Sequence, residues 1–274
     1  MNSTKPNSRR NLDIAIDRLF GIESNTIQVR TLIANTIIGQ MLPKGVVKGG
    51  SALKLRYGDK TTRFTRDLDT ARAEDLDKYL KQLEVSLSEG YNDFTGIVIR
   101  KNPAKPKGIP GEYIMQPFEI KLSYMGKSWL TVNLEIGYNE IGDADSFDNF
   151  LSQDIINIFE KLGFPKPKPI PLMQIHHQIA QKLHALSEIG SERAHDLIDL
   201  QIIKNNEKID YNLTKNTCKR LFVYRKQQEW PPVIIKGNNW NTLYSSQITG
   251  IAVLQNVDDA IDWVNGLIKM IDEG

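Results

Sequence analysis

Apolar positions recur at helical spacing from Arg10 to Met41: Leu12, Ile14, Ile16, Leu19 and Phe20, then Val29, Leu32, Ile33, Ile37 and Ile38. The stretch GIESN breaks the run, so the pattern predicts two helices, the second closed by Pro43. GVVKGG reads as a short buried strand entering a glycine turn. Ser51 to Tyr57 reads as the first turns of a helix, with Ser51 as its N-cap. DLDTA predicts a strand, Leu76 to Leu87 an amphipathic helix, and TGIVIRK another strand. PFEIKLSYM and SWLTVNLEIGY alternate apolar with polar residues and meet at Gly126-Lys127, which predicts a hairpin.

The pattern changes near Pro165. PKPKPIP reads as a semi-rigid connector. Helical spacing follows over Met173–Ile189, Glu192–Ile203, Thr214–Glu229 and Val253–Met270. Strands mixed with helices, then helices alone, predict an α+β fold: a mixed β-sheet with flanking helices in residues 1–165, followed by a helical-bundle domain in residues 166–274.

Composition adds three constraints. A formal net charge of +2 gives no whole-molecule field for nucleic acid, so any such partner must be met by a local patch. The single cysteine, Cys218, excludes an intrachain disulfide framework and fits a reducing compartment. No run approaches the roughly 20 apolar residues of a membrane span, and MNSTKPNSRRNLDIAI lacks the apolar core of a signal peptide. A cytoplasmic protein with no membrane partner is expected.

The chemistry concentrates in KGGSALKLRYGDKTTRFTRDLD, Lys48 to Asp69. On a strand, Asp67 and Asp69 would point to one face. Two carboxylates side by side repel, and a divalent cation relieves that repulsion. Mg²⁺ is hard, prefers oxygen, and is often held by one or two carboxylates plus substrate phosphates. Gly49 and Gly50 let backbone approach a ligand closely, and the N–H groups of a helix starting at Ser51 form a phosphate site. Lys54, Arg56, Lys60, Arg63 and Arg66 could balance the remaining charge. These parts describe a nucleoside-triphosphate site, and not a P-loop, because no G-x-x-x-x-G-K-[ST] occurs. Glu135 shares a strand face with Asn133 in LTVNLEIGY and offers a third acid, which would suit a two-metal site.

The pattern Gly-Gly-Ser, then RFTRDLD, then an acid on a later strand resembles the nucleotidyltransferase fold of the DNA polymerase β superfamily. HHQIAQKLHALSEIGSERAHDLIDL narrows the likeness, because Lys182, Leu183 and Ala185, then Arg193, Asp196, Leu197 and Asp199, resemble the signature of the AbiEii toxin family with its MenT branch. The resemblance implies that Gly49, Gly50 and Ser51 contact a triphosphate, with Thr65 at the family's Ser/Thr position. It implies Asp67, Asp69 and Glu135 as metal ligands, Glu135 standing where relatives often have Asp. It implies Lys182 on the triphosphate and Asp196 as an essential acid, near the nucleotide or acting as base, with the helical domain closing over the site. The implied cofactor is Mg²⁺, or Mn²⁺ in its place, and the implied substrate a nucleoside triphosphate, CTP or UTP favoured. The implied partners are a tRNA acceptor and a cognate antitoxin protein; transfer to the tRNA 3′ end would stop translation. Two other readings stay open: the same transfer to a protein or small molecule, and a non-catalytic nucleotide- or RNA-binding regulator.

Several features have plainer readings. Asp199 could hold Arg193, and Lys182 could simply pair with Asp196 between neighbouring helices. The basic stretch Arg100 to Tyr113 reads as a solvated loop or as one that draws in RNA. Lys166, Lys168, Lys215, Lys219, Arg220 and Lys226 could extend that surface, with Tyr224, Arg225 and Trp230 as a stacking-plus-phosphate set.

Overall fold

The computed structural model of the chain describes residues 4–21, 26–103 and 115–274. Residues 22–25 of the GIESN break and most of the basic loop, residues 104–113, lie outside the described residues. The chain divides into two compact units. Unit 1 comprises Met1–Asp59, Phe64–Asn139 and Ala144–Leu172; unit 2 comprises Lys60–Arg63, Glu140–Asp143 and Met173–Gly274. Among the described residues, no helix is long and apolar enough to cross a membrane.

Unit 1 runs α1 (Arg9–Phe20), α2 (Thr26–Gly39), β1 (Gly45–Lys48), α3 (Gly49–Tyr57), β2 (Leu68–Arg72), α4 (Leu76–Glu89), β3 (Phe94–Arg100), β4 (Gln116–Tyr124), β5 (Lys127–Gly137), β6 (Phe147–Phe150), α5 (Gln153–Lys161) and β7 (Ile170–Met173). Its seven-stranded sheet has the order β3-β4-β5-β2-β1-β7-β6. β1 with β2, β3 with β4, and β4 with β5 are antiparallel; β2 with β5 and β1 with β7 are parallel. The predicted α+β class and mixed sheet are therefore present.

Alternation divides the central strands between two faces. Val47, Leu68, Leu134 and Ile136 join the main apolar core with Leu32, Ile33, Ile37 and Ile38 of α2. A helix apolar on every side is a buried helix, and α2 is buried along nearly its whole length. Tyr79, Leu83 and Leu87 of α4 supply the i, i+4 stripe expected there. On the opposite face stand Lys48, Asp69 and Glu135.

Three local expectations change. The helix expected from Ser51 begins at Gly49, with Lys48 in the N-cap position and no side-chain cap bond. Ser51 is instead buried, and its hydroxyl donates to the Asp67 carbonyl. The hairpin turn is Met125-Gly126, because Tyr124 pairs with Lys127; both turn residues have positive φ, as a type I′ turn requires. The tail of the proline-rich connector is a strand: Val47 of β1 pairs with Leu172 of β7. A four-residue strand carrying Pro171 shows too little alternation to be told from a linker.

In unit 2 the described helices are α6 (Ile175–Leu186), α7 (His195–Asn206), α8 (Tyr211–Arg225), α9 (Trp240–Ser245) and α10 (Val257–Glu273). The short α9 carries buried Trp240 and Tyr244 and was absent from the helical pattern. Glu140–Asp143 belongs to this unit through polar contacts. Glu140 Oε2 accepts from Arg225 Nη2 at 2.6 Å, Asp143 Oδ2 from Gln181 Nε2 at 2.7 Å, and the Ile141 carbonyl from Arg220 Nη2 at 2.6 Å.

Candidate active site

In unit 1 the carboxylate face is built by register. Asp69 of β2 lies level with Glu135 of β5 on one side and Lys48 of β1 on the other. One rung earlier, Leu68 pairs with Leu134, so Asp67 comes level with Asn133. The Asn133 Nδ2 donates to Asp67 Oδ1 at 3.0 Å. The two-residue repeat Asp67/Asp69 is thus matched by Asn133/Glu135 on the next strand. Sequence alternation had placed Asn133 beside Glu135; its role in orienting Asp67 shows only once the strands are paired.

Gly49 has φ +63, and a Cβ built there would run into the Asp69 Oδ2. The glycine therefore lets the Asp69 carboxylate lie against the first turn of α3, where the helix dipole favours negative charge. Gly50 is half-buried in that turn, and Thr65 is half-buried on the stretch entering β2. Replacing Gly49 by Ala is expected to cost about 1–2 kcal/mol of backbone strain. It should also displace Asp69, lowering nucleotide transfer by on the order of 10²-fold, with melting temperature and initial rate read on the same preparation.

The donor set of Asp67, Asp69 and Glu135 is all hard oxygen, which fits Mg²⁺. Yet among the described residues no group of three His, Cys, Asp or Glu side chains is gathered closely enough to hold a metal as a set. Asp67 precedes the first residue of β2 and is tied to Asn133, so the three acids are not gathered as a triad; a fit to the Asp67–Asp69 pair remains.

In unit 2, Lys182 of α6 meets α7 in a buried charge network. Its Nζ donates to Asp196 Oδ1 at 2.7 Å and Asp199 Oδ2 at 2.6 Å, with the three residues 4%, 0% and 1% exposed. The Arg63 guanidinium takes both oxygens of Asp199, Nε at 2.8 Å and Nη2 at 2.9 Å, while Arg193 Nε reaches Asp196 Oδ2 at 2.8 Å. Arg193 thus serves Asp196, and the partner of Asp199 comes from the distant Lys60–Arg63 segment. Burial alone would push Asp196 up, but Lys182 and Arg193 outweigh it and hold its carboxyl well below the usual range. Arg63 and Lys182 likewise hold Asp199 low against burial. A carboxyl held so acidic is a poor proton acceptor, and Asp196 suits orienting Lys182 better than acting as base. Among the supposed stacking set, Arg225 is engaged by Glu140, and Trp230 donates to Asp272 Oδ1 at 2.9 Å.

Two histidines of this unit are held neutral. Burial, helped by Arg225, pushes His184 down to about 3. Burial, helped by Arg63 and Arg193 and opposed by Asp196 and Asp199, pushes His195 down to about 4. In the unfolded chain both would take up a proton near 6.5. Between those values the unfolded state binds more protons, so stability falls as pH falls. The urea midpoint of unfolding is expected to drop steadily from pH 7 to pH 4, with a shallower slope in His184→Gln.

Residues 34–263 match the family described as Nucleotidyl transferase AbiEii toxin, Type IV TA system. The chain belongs to the AbiEii nucleotidyltransferase toxin family. No curated protein matches it. Among solved structures it resembles MenT4, a nucleotidyltransferase toxin from Mycobacterium tuberculosis, at 15% identity and TM-score 0.64, covering 96% of this chain and 90% of that one. JHP933 from Helicobacter pylori aligns at 16% identity and TM-score 0.44, over 89% of this chain and 90% of its own. At that identity the likeness to MenT4 speaks for the fold alone. As an AbiEii member the protein is a nucleotidyltransferase of a toxin–antitoxin system. The matched region contains both the Lys48–Asp69 stretch and the Lys182–Asp199 network.

Proposed function

We propose that this family activity takes the form of Mg²⁺-dependent transfer of a nucleoside monophosphate, from CTP or UTP, to the 3′ end of tRNA in the cytoplasm. Translation stops, and a cognate antitoxin protein neutralises the enzyme. The observation that carries the reading is the Asp67/Asp69 pair, matched rung by rung with Asn133/Glu135 beside the uncapped N-terminus of α3.

Asp67 and Asp69 would hold Mg²⁺, which when bound neutralises phosphate charge and acidifies an attacking hydroxyl. The chain's own groups do the remaining work. Asn133 keeps Asp67 turned to its place. The first N–H groups of α3 take phosphate oxygens. Lys182 has two of its three donors on Asp196 and Asp199, and the third is assigned to the triphosphate. The acceptor hydroxyl oxygen bonds to the α-phosphorus, the bond from that phosphorus to the bridging oxygen breaks, pyrophosphate leaves with that oxygen, and the hydroxyl proton passes to water.

The test is incubation with total tRNA, Mg²⁺ and each α-³²P-labelled nucleoside triphosphate in turn, resolved on a denaturing gel. Label on tRNA from CTP or UTP, absent with Asp67→Ala, is the expected result. No label from any of the four triphosphates overturns tRNA as acceptor.

A further inference from the structure

Lys48 is the last residue of β1, and only 8% of it is exposed. Buried lysines are normally paired, because an ammonium removed from water costs several kcal/mol unless something compensates. Among the described residues the Lys48 ammonium has neither a hydrogen bond nor an acid within ion-pair distance. Its direction is fixed by a glycine. A Cβ on Gly137 would stand 3.0 Å from the Lys48 Nζ and 3.5 Å from its Cε, so the stem passes over the place where β5 has no side chain. Lys48 is level with Asp69, and Asp69 is level with Glu135. The side chain therefore lies on the carboxylate face, two residues along β5 from Glu135. Its own backbone leads directly into α3, whose N-terminus no side chain caps.

A lysine whose stem is buried, whose ammonium is not wholly enclosed and has no partner among the described residues, stands on the face that carries the acids and can take an anion. The acids are not its partners at ion-pair range, and a positive charge there would offset the repulsion between those acids and an incoming polyanion. We infer that the Lys48 ammonium binds a non-bridging phosphate oxygen of the nucleotide held at the carboxylate face, making it a substrate-binding residue. The inference rests on the nucleotidyltransferase reading for its ligand, and it assigns Lys48 to the polyphosphate rather than to the base or the tRNA.

Binding is measured by calorimetry with inorganic tripolyphosphate and Mg²⁺, on wild type, Lys48→Met and Lys48→Arg, alongside melting temperature without ligand. Loss of one charge-assisted contact should weaken tripolyphosphate binding roughly 10- to 100-fold in Lys48→Met. Lys48→Arg should restore part of it. Without ligand, Lys48→Met should melt no lower than wild type, since methionine keeps a buried stem and removes an unpartnered charge. Unchanged tripolyphosphate affinity in Lys48→Met overturns the inference, as does a lower melting temperature with affinity intact, the mark of a purely structural charge. Wild type that binds tripolyphosphate through Lys48 but labels no tRNA would leave the inference standing and sink the tRNA reading. Wild type that labels tRNA as well as Lys48→Met does, would do the reverse.

Discussion

Alanine at Asp69 is expected to remove nucleotide transfer, by at least about 10²-fold, while leaving unit 1 folded. Asp69 sits in the middle of its row, between Lys48 and Glu135, with its carboxylate against the first turn of α3. It contributes nothing to the apolar core, which occupies the other face of β2 through Leu68. Asp69→Asn is the sharper variant. It keeps the shape and one acceptor oxygen but removes the charge a metal needs, so it should lose transfer nearly as fully. Initial rates of label transfer, with circular dichroism on the same samples, check both. Transfer within twofold of wild type in Asp69→Asn would overturn the assignment of this carboxylate to the metal.

The second large effect is on stability. Lys182→Met is expected to destabilise the protein by about 3–5 kcal/mol, the usual consequence of removing one partner from a buried ion network. Asp196 and Asp199 are almost wholly buried, and each would lose its lysine while keeping its arginine. Arg63→Met should act in the same direction, leaving Asp199 with Lys182 alone. The double variant Arg63→Met with Asp199→Asn should lose less than the sum of its parts, by a coupling of about 0.5–3 kcal/mol. Urea unfolding of the four proteins of that cycle measures it. Additive losses would mean that the guanidinium and the carboxylate do not depend on each other.

These residues also show how far the sequence could be read. Asp67 and Asp69 were legible because strand geometry repeats every two residues, and the same rule placed Asn133 beside Glu135. Which rung faces which rung was not legible, since register is a property of two strands. Lys182, Asp196 and Asp199 stood out as a motif, but the natural guess for Asp199 was Arg193, a neighbour along the helix. Its partner Arg63 lies 136 residues away in sequence, and no local spacing encodes such a pairing. Ser51 looked like a cap because serine often is one; the glycines before it already adopt helix, so its hydroxyl is free to tie α3 to the Asp67 carbonyl. β7 was hidden by Pro171 and by its shortness.

Two short segments, Lys60–Arg63 and Glu140–Asp143, are counted with unit 2 although the chain on either side of them is counted with unit 1. That interleaving bears on inheritance. A gene fragment encoding only the residues after Leu172 would yield helices whose Asp199 lacks its guanidinium, whose Arg225 lacks Glu140 and whose Gln181 lacks Asp143. The helical half is thus no cassette. Recombination at a single crossover between two diverged relatives would exchange it without its counter-charges, so the two halves are constrained to descend together.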